Sequence, residues 1–396
     1  MAIVINNTPP AYASAQDDLI FTVYEATKAN DPVTYPDYKY VCDIYVGATQ
    51  VARLKSVPRP DNKRGVFNIG SVVRNYISTS FSPMFNQVRA QQLGLGDFFV
   101  NVTVKFGEEY DFVLYTNVTV DSERTYFNHY NGRMTDQTTI LSNYLDNIVS
   151  ARPSPVKVNR NAYLFFLSFF PSTTAPITLK ATSYNSSGII DVRTQAYTPS
   201  AANTIQVFNV APMALEVLWP GFNNEAVENI KIEFVLVDAQ FDPLRTFELT
   251  CEAKYEPYYL HFLNRFGAFD TIECSKVSRK EINIEKESYG SLPYIIDASG
   301  IVRYKNSNNV MYESRSTYSS QYSEKMVLNT DILTDQEYQW LADLARSPLV
   351  YIHEFNHFVP VSVNIPTYDF RKRVNDKLTS LPINIEFGNQ LNAQYR

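Results

Sequence analysis

The sharpest chemical pattern in the chain is His353-Glu-Phe-Asn-His357, a literal HExxH. On a helix, four residues return the second imidazole to the face of the first, so both can bind one zinc ion while the glutamate activates water. The flanks argue against a helix here. Leu349-Val-Tyr-Ile352 and Phe358-Val-Pro-Val-Ser-Val363 are β-rich, and Pro360 would interrupt a helix continuing past the second histidine. No third ligand stands at the short downstream spacing of zinc peptidases; Asp369 and Glu386 are candidates only as any acid is. The expectation is a hairpin whose turn is Glu354-Phe-Asn-His357, with both histidines exposed. A zinc peptidase acting through His353, Glu354 and His357 is the remote alternative.

Other chemistry is sparse. The histidines are His129, His261, His353 and His357, and there is no GxSxG, no P-loop and no GxGxxG; Gly94-Leu-Gly96 lacks the third glycine and the preceding strand. Acyl and phosphoryl transfer therefore lose their usual anchors. Glu108 and Glu109 are the kind of carboxylate pair a glycosidase needs, but neighbours on a strand point to opposite faces, and the adjoining Gly107 reads as part of a solvated turn. Cys42, Cys251 and Cys274 are odd in number, far apart and without a CxxC pair, so they read as reduced core residues. No catalytic, cofactor-binding or metal-ligating residue is expected, and the chain reads as a non-enzyme without a cofactor.

Composition sets the frame for those residues. The chain has 396 residues, 45% apolar and only 19% charged, and its 14% aromatic share comes almost wholly from 28 Tyr and 25 Phe. That is a strand-forming, contact-making composition, with Tyr suited to half-wet interface edges. A Tyr-rich β core accounts for it equally well. A net charge of −6, from 35 basic and 41 acidic residues, leaves no global field to hold a polyanion. Arg371-Lys-Arg373 is too short to make a nucleic-acid patch against that background and reads as a solvated face or rim contact. The first ten residues have neither a basic nor a long apolar region, which argues against a signal peptide, and no run approaches the roughly 18 apolar residues of a membrane span. Asn101-Val-Thr and Asn117-Val-Thr then read as alternating strand sequence, and synthesis is expected in a cytoplasm.

The elements that must position these residues are mostly strands. The chain exceeds what one core usually organises, so two or three antiparallel β-sandwich-like domains with a few short helices are expected. They are an N-terminal β domain over 1–130, a middle sandwich over 131–255, and a C-terminal β domain over 256–396. In the first, residues 100–106 alternate apolar with polar, and a second run over 112–120 follows Gly107-Glu-Glu-Tyr-Asp111, predicting a hairpin turning there. Ser71 precedes apolar positions at helical spacing and predicts a short Ser-capped helix. Residues 131–155 read as a linker. The middle domain predicts strands over 163–170, 177–184, 204–210 and 230–237, the last with the cleanest alternation in the chain. In the third, strands fall near 282–284, 324–328, 349–353, 359–365 and 382–387. Thr334-Asp-Gln-Glu337 forms a capping box for one helix over about 335–346, stopped by Ser347-Pro348. Of the two tryptophans, Trp340 is expected in the core and Trp219, beside Pro220-Gly221, at the surface.

The segment Tyr259-Leu-His-Phe-Leu-Asn-Arg-Phe-Gly-Ala-Phe-Asp-Thr271 resembles one that recurs in virion structural proteins of Bacteroidetes-infecting tailed phages, including crAss-like phages. The segment 54–71, with Pro58, Pro60 and Gly65-Val-Phe-Asn-Ile69 before a short helix, is similar to the opening of such proteins. Leu333-Thr-Asp-Gln-Glu-Tyr-Gln-Trp-Leu341, Ser347-Pro-Leu-Val-Tyr351 and Pro360-Val-Ser-Val363 are similar to β-rich tail modules pairing a small helix with strands. The resemblance implies a ring, hub or adaptor protein of the neck or tail, located in the virion and made in the host bacterial cytoplasm. Its implied partners are copies of itself and neighbouring phage proteins, with no specific nucleic-acid binding and no membrane. A receptor- or carbohydrate-binding β module of the tail, with Trp219 as the stacking residue, is the alternative.

Overall fold

The computed structural model of the protein describes residues 3–77, 90–92, 99–127, 146–171, 173–199, 205–236, 243–250, 254–304, 306–307, 310–311, 314–354, 357–365, 380–388 and 391–395. The fold is mainly β, with several sheets and, among the described residues, four short α-helices. Two compact units are present, one of residues 1–252 with 262–272 and one of residues 253–261 with 273–396.

Period-two alternation explains most strands of the first unit. In the strand Asn229–Val235, Ile230, Ile232 and Phe234 are fully buried while Glu233 faces outward, bound to Lys180 at 2.9 Å and Lys231 at 2.5 Å. This strand sits inside a five-stranded sheet, between Leu244–Thr250 and Ile177–Asn185, with Val156–Asn159 and Gly188–Tyr197 at the edges. Phe169 of the strand Phe166–Phe170, in a second sheet, stacks on Phe234 at 4.9 Å, so aromatic rings join the two layers.

Two further sheets enclose the N-terminal core. One orders Val4–Asn7, Ile20–Tyr24 and Gly65–Asn68; the other orders Tyr12–Ser14, Arg124–Phe127, Phe99–Tyr110, Lys39–Val46 and Thr49–Ser56, with Val113–Val120 also on Phe99–Tyr110. Phe21, Tyr40, Cys42, Phe106 and Tyr126 are fully buried between them. Here the structure corrects the expected hairpin. The strand Phe99–Tyr110 runs straight through Gly107, and the turn is Asp111-Phe112, because Tyr110 pairs with Val113. Gly107 marks a bulge against the strand Val113–Val120: a Cβ there would lie 2.3 Å from the Tyr115 carbonyl oxygen, so only glycine allows the approach. Glu108 and Glu109 are therefore strand residues and not a solvated turn. The expected helix is also present, as Gly70–Arg74, but Ser71 lies inside it. Asn68 holds the entry instead, its Oδ1 accepting from the amides of Gly70 at 3.0 Å and Leu19 at 3.2 Å.

The sheet of the second unit runs from Tyr258–Leu263 through Val350–Glu354, His357–Val363, Pro382–Phe387 and Arg315–Asn329 to Arg279–Gly290 at its edge. The cross-strand register puts Val350, Ile352, Val361, Ile385, Ile383, Met326 and Leu328 on one face, and all are buried. Trp340, Leu341 and Leu344 are buried in the same unit, and the helices Asp335–Trp340 and Ala342–Arg346 that carry them break at Leu341. The first starts on the predicted capping box: the Glu337 amide donates to Thr334 Oγ1 at 3.2 Å and the Thr334 amide to Glu337 Oε2 at 2.9 Å.

Candidate interaction surface

The described residues of the HExxH segment lie on two antiparallel strands. Val350–Glu354 pairs with His357–Val363, with Glu354 opposite His357 and His353 opposite Phe358. Opposite residues of an antiparallel pair share a face and successive residues alternate, so His353 and His357 project from opposite faces of the pair. Two imidazoles so arranged do not converge on one metal. Nor do three His, Cys, Asp or Glu side chains gather elsewhere among the described residues. Only His357 is exposed as expected. His353 is half-buried with its ring 5.3 Å from Phe358, and the same Phe358 ring lies 5.3 Å from His261, which is wholly buried. Burial, with His353 nearby, pushes the His261 imidazole down to about 3; burial, with His357 nearby, lowers His353. Both imidazoles are thus held neutral as packing groups.

Glu108 and Glu109 also divide between faces. Glu108 is buried, in an ion pair with Lys28 and accepting from the Tyr38 hydroxyl at 3.2 Å, while the Lys28 ammonium lies 4.9 Å from the centre of the Tyr110 ring. Burial, reinforced by the Glu108 charge, holds the Tyr38 phenol protonated far above its usual range. Glu109 pairs outward with Lys55, which lowers its carboxyl. Glu108 ties its strand to the turn at Lys28 and to Tyr38, Glu109 ties it to the strand Thr49–Ser56, and the two carboxylates do not face a common space. Cys42 and Cys274 are buried thiols raised by burial. Cys251, His129, Asp369, Gly94-Leu-Gly96 and Arg371-Lys-Arg373 lie outside the described residues. Trp340 is in the core, as expected. Trp219 is half-buried with its ring 5.6 Å from Phe222, so it does not stand free at the surface.

The feature that sequence reasoning missed is an exposed β-arm in the second unit. In the strand Arg279–Gly290 every residue except Ser288 is exposed, including Ile282 at 54% and Ile284 at 59%. Among the described residues it is the sheet's edge, and it pairs along its whole length with Arg315–Asn329, which Leu391–Tyr395 joins at Ser319–Tyr322 on its other side. Beyond it, the hairpin of Tyr294–Ile296 and Val302–Tyr304 turns at Asp297, whose carboxylate accepts from the amides of Ser299 and Ile301 at 3.0 Å each. Leu292, Ile295, Ile296, Ile301, Val302 and Tyr304 are all exposed. An isolated two-stranded hairpin is marginal in water, and this one offers apolar side chains on both faces.

Register explains the arm's position. Lys280 lies opposite Met326, Ile282 opposite Glu324 and Ile284 opposite Tyr322, so Ile282 and Ile284 continue the face that is buried core at Met326 and Leu328. The signal in the sequence was the strand-like alternation of 279–290, but alternation alone does not tell whether a layer covers it. No helix among the described residues is long and apolar enough to cross a membrane. The sequence matches no known family model, and no curated protein matches it.

Proposed function

We propose that this chain is a structural protein of a tailed-phage virion, a ring or adaptor component of the neck or tail that works by packing against copies of itself and against neighbouring virion proteins. The exposed arm is the observation that carries the reading. It leaves Ile282 and Ile284 in water on a strand that continues a core face, and Leu292, Ile295, Ile296, Ile301, Val302 and Tyr304 in water on the segment beyond it; burying the exposed half of each against a partner stabilises by roughly 1 kcal/mol apiece. Such surfaces are characteristic of chains completed by assembly. The resemblance of residues 259–271 to virion proteins points the same way and supplies the phage context. The Tyr-rich, charge-poor composition fits extended protein contacts better than a polyanion site.

Native mass spectrometry of the purified chain tests the proposal, because one spectrum reports oligomer mass and any bound metal. A closed, metal-free homo-oligomer is expected. A monomer with one zinc per chain would replace this reading by the peptidase. A metal-free monomer would remove self-assembly and leave docking on neighbouring proteins alone.

A further inference from the structure

We infer that the arm is a contact between copies of this chain, made face to face and head to tail: the lysine–isoleucine face of Arg279–Gly290 in one copy lies on the glutamate face of the same strand in the next. This rests on the assembly reading above and specifies the surface that carries it. Strand alternation puts Lys280, Ile282, Ile284 and Lys286 on one face and Glu281, Asn283, Glu285 and Glu287 on the other. On the lysine face the acids are Glu324, bound to Lys280 at 2.7 Å, and Glu354, whose charge also raises Lys280, while Lys286 lies opposite Ser320. On the glutamate face the cations are Arg279, 3.9 Å from Glu281, and Lys325, bound at 2.6 Å to Glu386. The glutamate face therefore keeps an excess of negative charge, and on the lysine face Lys286 is the cation set opposite no acid.

The spacing of the charges matches as well as their sign. Lys280 and Lys286 are six positions apart, as are Glu281 and Glu287, which is about 20 Å along a strand. Two arms stacked at the usual sheet separation of about 10 Å and offset by one residue set Lys280 over Glu281 and Lys286 over Glu287, with Ile282 and Ile284 covered between them. A face meeting its own kind would set lysine on lysine or glutamate on glutamate. The contact is therefore heterologous, and a heterologous contact makes a ring where its rotation closes and an open filament where it does not.

Two double charge reversals test this in the full chain: K280E/K286E, which makes both faces acidic, and E281K/E287K, which makes both basic. The positions are exposed, and circular dichroism with a urea midpoint verifies that each variant folds. The wild type is expected to assemble, each variant alone to run as a monomer by native mass spectrometry, and an equimolar mixture to restore an oligomer holding the two variants in equal number. A folded variant that assembles alone to the wild-type mass would overturn the arm contact while leaving the assembly reading intact. Folded variants that stay monomeric even when mixed would overturn the head-to-tail geometry. A wild type that is monomeric at every concentration would overturn both this inference and self-assembly.

Discussion

His261 is wholly buried beside Phe358 with its imidazole pushed down to about 3. An imidazole in the unfolded chain takes a proton below about pH 6.5, which the folded state refuses until far lower. This residue's contribution to stability is therefore complete above about pH 6.5 and is lost as the pH falls toward 3, at a limiting slope of about 1.4 kcal/mol per pH unit. Urea midpoints between pH 7.5 and 5 should fall less steeply in His261→Phe than in the wild type. An unchanged slope would mean that His261 takes its proton while folded. Some slope should persist in the variant, since His353 is lowered in the same direction. The sequence displays the residue types of this cluster but not their company. His353 and His357 stand four apart as a metalloprotease requires, yet a strand turns that spacing into opposite faces. Phe358 and His261 come together only through pairing between strands far apart in sequence.

At the scale of elements, local signals were the legible ones. The capping box of Thr334 and Glu337 and the alternation of Asn229–Val235 each act within a few residues, and both appear in the fold as the sequence indicates. Gly107 was misread because a glycine serves a bulge as readily as a turn, and only the Tyr115 carbonyl on the facing strand decides between them. The true turn has no obvious signal: Asp111 and Phe112 both adopt positive φ, 49° and 60°, in a two-residue loop that favours Asn-Gly. Phe112 is also 91% exposed. Replacing the pair by D111N/F112G should stabilise the chain by about 1 kcal/mol in urea unfolding, since glycine relieves the left-handed strain at a site where the phenyl ring is barely packed. A loss of stability would show that the ring makes contacts that favour the fold.

For the whole molecule, mainly β architecture follows from aromatic and β-branched abundance together with low charge, and that much was readable from composition. Which surfaces remain uncovered was not, because coverage depends on the layer packed above a strand and not on the strand's own residues. Assembly through opposed Lys and Glu rows carries a signature in bulk solution. Charge pairs at partly exposed surfaces weaken as the Debye length shrinks from about 10 Å at 0.1 M salt to about 3 Å at 1 M. Sedimentation of the wild type should therefore show dissociation as sodium chloride rises over that range, with apolar burial retaining part of the association. An oligomer tightening with salt would place the contact on the apolar tip hairpin instead.

The edge formed by Arg279–Gly290 also bears on how the chain survives at high concentration in a crowded cell. A long unpaired strand edge invites another to extend it by hydrogen bonding, which is the opening step of amyloid growth. Two such edges meeting antiparallel about Asn283 would bring Lys280 against Lys286 and Glu281 against Glu285, like charge on like, with Arg279 against Glu287 as the one pair of opposite charge. In that register the same residues that let one arm lie on another oppose the edge-on approach, so the strand's charge order bears on the direction from which its twin arrives as well as on whether it binds.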